Sequence, residues 1–120
     1  MEDFTRIQMF FKDIPGYEGL YQVSPEGYIK SINYRGLGNE RILKKNLNKN
    51  GYYMVNLYKN GIHKFYKVSR LVAKTFIPNP DNKPCVDHIN TIRTDDSVEN
   101  LRWVTHKENM NNVITKEHLS

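Results

Sequence analysis

Cysteine occurs once in the 120 residues, at Cys85. This excludes a disulfide framework and any zinc site built from Cys-x-x-Cys pairs, and it fits a reducing cytosol. Long apolar runs are missing as well. The longest are a few residues, as at Leu71-Val72-Ala73, far short of the ~20 that span a bilayer. The opening Met1-Glu2-Asp3 carries neither a basic n-region nor an apolar h-region, so neither secretion nor a membrane partner is expected. The length suits one core, or two small sub-modules sharing one, and leaves no room for two large domains.

Acidic side chains are almost absent from one long stretch. Residues 27–74 hold eleven basic side chains against a single acid, Glu40. Residues 81–120 reverse the balance, with five basic side chains facing seven acids. The net formal charge of +5 and an isoelectric point near 9.3 suggest a polyanionic partner. A basic part that holds phosphates, followed by a carboxylate-bearing part able to hold a cation, suits an enzyme acting on nucleic acid. The plainer alternative is a solvated lysine-rich sheet face.

Turn signals and periodicity place the elements. Leu20–Val23 and Tyr28–Ile32 read as two short strands joined by the turn Ser24-Pro25-Glu26-Gly27, and 34–40 reads as a loop. Alternation over Tyr52–Tyr58 predicts a strand, Asn60-Gly61 a two-residue hairpin turn, and Ile62–Val68 the return strand. The basic region is then an antiparallel meander with tyrosines and lysines interleaved. Val68, Leu71, Val72 and Phe76 fall at helical spacing, with Ser69 as the expected cap and Pro78 as the stop. Beyond it, Cys85–His88 and Leu101–Val104 read as strands around a polar loop. Thr105 and Glu108 form a capping box that opens a final helix through Asn109 toward Val113. Strand, loop, strand, helix is a ββα unit.

In such a unit the helix packs across the hairpin, so Asp87 and Asn109 can offer two oxygen ligands. This is the minimal protein share for a hard cation such as Mg2+, which takes its remaining ligands from water and phosphate. His88 suits a general base, because its ordinary pKa leaves the ring largely neutral at pH 7. A hydrogen bond at its other ring nitrogen would fix the tautomer, and Asn100 is one source of that oxygen. Strict strand geometry points Asp87 and His88 to opposite faces, so a turn or bulge is required between them and a shared phosphate.

Several segments together resemble the phage-type HNH homing endonucleases: Phe11 to Ser24, Ser69 to Phe76, Asp87-His88-Ile89-Asn90, Glu99 to Thr105, and Glu108-Asn109. The likeness runs from about residue 11 to 112. It implies an α+β fold, with an N-terminal nuclease-associated antiparallel β module over 1–66, a connecting helix, and a C-terminal ββα-metal (HNH) nuclease unit within 67–120. It further implies that His88 activates water, that Asn100 supports the hairpin and His88, and that Asp87 and Asn109 bind one divalent metal, Mg2+ with Mn2+ as an alternative. The expected activity is metal-dependent hydrolysis of double-stranded DNA. It would nick one strand per site, in a phage-encoded protein of the bacterial cytoplasm, alone, as a homodimer or with a phage partner. Relatives usually carry histidine where Ser69 stands, a small turn residue at Thr91 and asparagine at Asp96.

For DNA contact the candidates are Lys44, Lys45, Lys49, Lys64, Lys67 and Arg70 as a group, with Arg102 as the expected phosphate clamp beside the active hairpin. Trp103 is assigned to the core, and His63, His106 and His118 are left outside the site. The competing reading is a non-catalytic or weakly active DNA-binding regulator on the same fold.

Overall fold

The computed structural model describes residues 10–34 and 38–110. Among the described residues, nine strands form three antiparallel groups, with one helix after the seventh strand and the start of a second after the ninth. The first sheet has the order β1 (Lys12–Asp13), β2 (Tyr21–Val23), β3 (Ile29–Tyr34), β4 (Asn39–Ile42). The second is β5 (Asn46–Leu47), β6 (Tyr53–Lys59), β7 (Ile62–Lys67), and β8 (Cys85–His88) pairs with β9 (Leu101–Val104). Helix α1 (Val68–Phe76) follows β7 directly.

The expected β2, β3, β6, β7, β8 and β9 are all present, within a residue or two of their expected ends. In β6 the alternation sends Val55 and Leu57 inward, at 1% and 0% exposure. Asn60 and Gly61 take φ of 54° and 77°, the left-handed pair that lets a two-residue turn follow the strand twist. The expected loop at 34–40 is corrected at its far end. Residues 39 and 40 already belong to β4, whose four side chains are all exposed and which therefore carries no alternation to read. Residues 35–37 of that loop lie outside the described residues.

The helix buries Val68, Leu71, Val72 and Ala73 on one face, and each larger aliphatic side chain so buried is worth about 1.5–3 kcal/mol. Its cap differs from expectation. Lys67 occupies the cap position without a side-chain bond, and Ser69 is buried inside the first turn. The stop is as expected, Ile77 closing the last turn on the Ala73 carbonyl before Pro78. The capping box is present in both directions: Thr105 N–H donates to Glu108 Oε1 at 2.8 Å, and Glu108 N–H donates to Thr105 Oγ1 at 3.0 Å. The backbone N–H of Thr105, with Lys83 beside it, holds the Glu108 carboxyl below its ordinary range. The second helix, α2, is described over 106–110, and its expected extension to Val113 lies outside the described residues.

One core serves the described residues. Ile14, Val23 and Ile29 from the first sheet meet Val55 and Leu57 from the second, the face of α1, and Leu101 from β9. Two tyrosine hydroxyls join the sheets. Tyr21 accepts the Tyr58 backbone N–H at 3.0 Å, and Tyr17 shares a 2.9 Å hydrogen bond with Tyr66. Burial, then the Tyr66 hydroxyl, pushes the Tyr17 phenol up to about 12. Among the described residues no helix is long and apolar enough to cross a membrane.

Candidate active site

The ladder between β8 and β9 runs unbroken through Cys85↔Val104, Val86↔Trp103, Asp87↔Arg102 and His88↔Leu101. There is no bulge between Asp87 and His88. The strand instead ends at His88, and a turn follows in which the Thr91 N–H bonds the His88 carbonyl at 3.0 Å. Thr91 adopts φ 67°, a region costly for a β-branched residue and natural for the small residue expected here.

Asp87 and His88 are 4% and 6% exposed, and both line a cleft of about 330 Å3 whose wall also includes Asn109. Asn109 reaches it from the first turn of α2, where its N–H bonds the Thr105 carbonyl at 2.9 Å. The same cleft is lined by Lys67, Arg70 and Arg93, with Tyr52 among them. The Tyr52 ring lies 5.7 Å from the His88 ring, with the Lys67 ammonium 4.1 Å and the Arg93 guanidinium 5.4 Å from its centroid. Arg93 is anchored to the Asn50 carbonyl at 2.8 Å.

Asn100 is buried but works inside the loop. It accepts the Asn90 N–H at 2.9 Å and donates to Asn90 Oδ1 and to the Asp95 carbonyl, each at 2.9 Å. The oxygen on the His88 ring comes from Asp96, whose Oδ1 lies 2.8 Å from Nε2. Asp95 also knits the loop, accepting from the Ser97 hydroxyl at 2.6 Å and from Asn90 Nδ2 at 2.8 Å. Those two bonds, Ser97 first, hold its carboxyl below the ordinary value.

Arg102, the expected clamp, donates from Nε to Asp87 Oδ2 at 3.0 Å across the hairpin, with its side chain 47% exposed. Arg70 donates to the Pro84 carbonyl at 2.8 Å and lies over Trp103. Trp103 is half-buried rather than central, its indole N–H bonding the Ile77 carbonyl. Lys44, Lys49 and Lys64 are away from the cleft, with Lys64 exposed on β7. Lys45 donates to the Gly27 carbonyl at 3.3 Å and lies over Tyr28 and Tyr53. His63 is exposed between Tyr58 and Phe65, and His106 is exposed with Nδ1 3.2 Å from Cys85 Sγ. His118 lies outside the described residues. Sequence reasoning missed Tyr52, Arg93 and Asp96. Of these only Asp96 carried a signal, as a departure from the asparagine that the family resemblance led us to expect.

Asp87, a buried carboxylate, and Asn109, an amide, line the same cleft, while the described residues contain no group of three or more His, Cys, Asp or Glu that would make a closed cage. These are the two residues that could hold a hard divalent cation, which would take its other ligands from water and phosphate oxygens.

The sequence and the fold also match known proteins. The NUMOD4 motif matches residues 9–58, and the HNH endonuclease family matches residues 66–111. The chain is 38% identical over 112 residues to DNA endonuclease I-HmuI of Bacillus phage SP01, covering 93% of this chain and 62% of that protein. It is 42% identical over 115 residues to an uncharacterized HNH endonuclease, L247, of Acanthamoeba polyphaga mimivirus, covering 88% of this chain and 27% of that one. A solved structure of the HNH homing endonuclease I-HmuI, concerned with its DNA binding and cleavage, superposes with a TM-score of 0.80 at 39% identity, again over 93% of this chain and 62% of that chain. The chain thus spans less than two-thirds of the length of these relatives. With both modules matched in order and the α+β architecture shared, the chain belongs to the HNH homing-endonuclease family.

Proposed function

We propose that this chain is a metal-dependent DNA endonuclease that hydrolyses one phosphodiester per site with His88 as general base. The observation that carries the reading is the composition of one cleft: His88, Asp87 and Asn109 together with Lys67, Arg70 and Arg93. A phosphodiester seated there meets cationic side chains that hold its oxygens and an imidazole that accepts the proton of an attacking water.

Asp87 and Asn109 would hold the cation, Mg2+ or alternatively Mn2+. When bound, the metal stabilises negative charge on the scissile phosphate and the departing 3′ oxygen. Arg102 neutralises the buried Asp87 carboxylate and fixes its rotamer, and its exposed remainder is available to a neighbouring phosphate. Asn100 holds the loop shape that carries His88. The outer face of β6–β7 leads from exposed Tyr58, His63 and Phe65 through Asn56 to Lys67 and Tyr52 at the cleft, and this ribbon is the proposed track for double-stranded DNA, with residues 1–66 as the holding part and 67–120 as the cutting part. One site cuts one strand, so a double-strand break requires a second copy or a second visit.

Relaxation of supercoiled plasmid tests the reading. With Mg2+ the wild type is expected to give open circles before linear DNA, EDTA to stop it, and His88→Ala to slow it by about 10^2–10^4 fold. Equal nicking by wild type and His88→Ala overturns the assignment. Retardation of DNA on a gel without nicking in Mg2+ or Mn2+ turns the reading to the non-catalytic regulator.

A further inference from the structure

His88 and Asp96 form the most enclosed polar pair described in the chain, with side chains 6% and 3% exposed and 2.8 Å between Nε2 and Oδ1. A carboxylate in its ionised form only accepts hydrogen bonds; in that form the hydrogen of this contact belongs to Nε2, and a neutral ring then carries its lone pair on Nδ1. An asparagine at this position would behave differently, since its amide can offer either an oxygen or an N–H to the ring. A carboxylate removes that choice.

Packing does not account for the carboxylate. Its second oxygen, Oδ2, is buried without a hydrogen-bond partner among the described residues, an unfavourable state that an apolar side chain would avoid. Its location is set from outside the loop. Gly27 in the β2–β3 turn has φ +95°, and a Cβ built there would lie 3.3 Å from Asp96 Cβ and 3.6 Å from the Asp96 carbonyl oxygen. Two residues along, Val98 N–H donates to the Pro25 carbonyl at 2.8 Å. The turn at Pro25–Gly27 therefore backs the segment 96–98 at a separation that favours glycine. The Tyr52 ring packs on His88 as well.

We propose that Asp96 is a positioning residue for His88, holding the ring in the Nε2–H tautomer with Nδ1 as the proton acceptor, and that the Pro25–Gly27 turn of the N-terminal module keeps Asp96 in place. The inference rests on the reading of His88 as the base. It makes the N-terminal module a structural part of the active site as well as a holder of DNA.

Long-range 1H–15N correlation spectra of the full chain, recorded where histidine is neutral, read the tautomer directly. Wild-type His88 is expected to show a protonated Nε2 and an unprotonated Nδ1, and the reverse pattern overturns the proposal whether or not any variant folds. Asp96→Ala is expected to mix the tautomers and lower kcat for nicking about 100-fold, with KM for DNA within about threefold, while Asp96→Asn restores kcat to within about tenfold of wild type. Gly27→Ala is expected to lower kcat about tenfold through displacement of Asp96, again with little change in KM. An unchanged tautomer in Asp96→Ala, or a kcat within about threefold of wild type, overturns the proposal. The base assignment itself fails by a separate result, equal nicking by His88→Ala, and the spectra do not depend on that outcome.

Discussion

Between Asn90 and Asn100 the polar side chains bond one another, whereas on the outer face of β6–β7 Tyr58, His63 and Phe65 stack at the surface, with Tyr58 and Phe65 55% and 62% exposed. In the loop, Asn90, Asp95 and Asn100 each make at least two hydrogen bonds to neighbours in the same segment. On the ribbon, His63 has Asn56 and the rings have each other. The difference fits the tasks proposed for them. A group that moves a proton needs a fixed orientation, and internal bonds supply it. The ribbon face, proposed to follow a phosphate backbone, has no such proton to place, and its rings are left open to solvent.

Removing the loop's central amide should break this comparison most sharply. Asn100→Ala loses three hydrogen bonds of a buried group and leaves the Asn90 N–H and the Asp95 carbonyl without that partner. We expect a loss of about 2–4 kcal/mol, read as a lower midpoint in urea unfolding, with nicking reduced at temperatures where the chain is still folded. A change under about 0.5 kcal/mol would make the loop's bonding dispensable.

Lys67→Ala with Arg93→Ala probes the cations around Tyr52, one from the end of the ribbon and one from the loop. Removing two cations next to Tyr52 should flatten the dependence of log affinity on log salt by about 0.9 for each duplex phosphate that is no longer neutralised, with affinity several-fold weaker at low salt. A salt slope equal to wild type would take both residues out of the DNA path. The double variant should fold normally, since neither side chain belongs to the core.

The pH dependence bears on the loop. Asp95 has its folded-state pKa lowered below the ordinary 3.8 by Ser97 and Asn90. Its contribution to stability is therefore fully present above that ordinary value and is lost as pH falls through the lower folded value. Thermal melts from pH 6 to pH 2 should show Asp95→Asn losing less of its stability over the acid range than wild type, and identical profiles would place the acid sensitivity elsewhere.

The smallest expected effect is a gain. Thr91→Gly relieves a β-branched residue at φ 67° and should raise stability by up to about 1 kcal/mol, after the greater flexibility of glycine in the unfolded chain is subtracted. A calorimetric midpoint a few degrees higher would mark the turn as strained, and a lower one would mean that the threonine side chain has a role.

Much of the fold was legible because the signals were local. Val55 and Leu57 alternate with polar neighbours, Asn60-Gly61 can hardly be anything but a tight turn, and Thr105 with Glu108 names a helix start. β4 escaped because Asn39-Glu40-Arg41-Ile42 is exposed throughout and shows no burial pattern. In the candidate site, Asp87, His88 and Asn109 could be brought together on paper by the ββα order alone. The partner on the His88 ring could not, because Asn100 and Asp96 are both within reach in sequence and only the folded loop assigns one to Asn90 and the other to the imidazole. Tyr52 and Arg93 lie far apart along the chain, and nothing in the sequence announces that they meet.

The pairing of β6 with β7 has a practical consequence for anyone wishing to rebuild this molecule. The two family matches stop at 58 and resume at 66, positions that fall inside one continuous ladder from Met54↔Lys67 to Lys59↔Ile62. A chimera spliced at that seam would inherit half a hairpin from each parent, with raw strand edges exposed to aggregation. Exchange of the DNA-holding front for another must carry the hairpin whole, and must bring a donor loop able to nestle against Asp96 as Pro25 and Gly27 do.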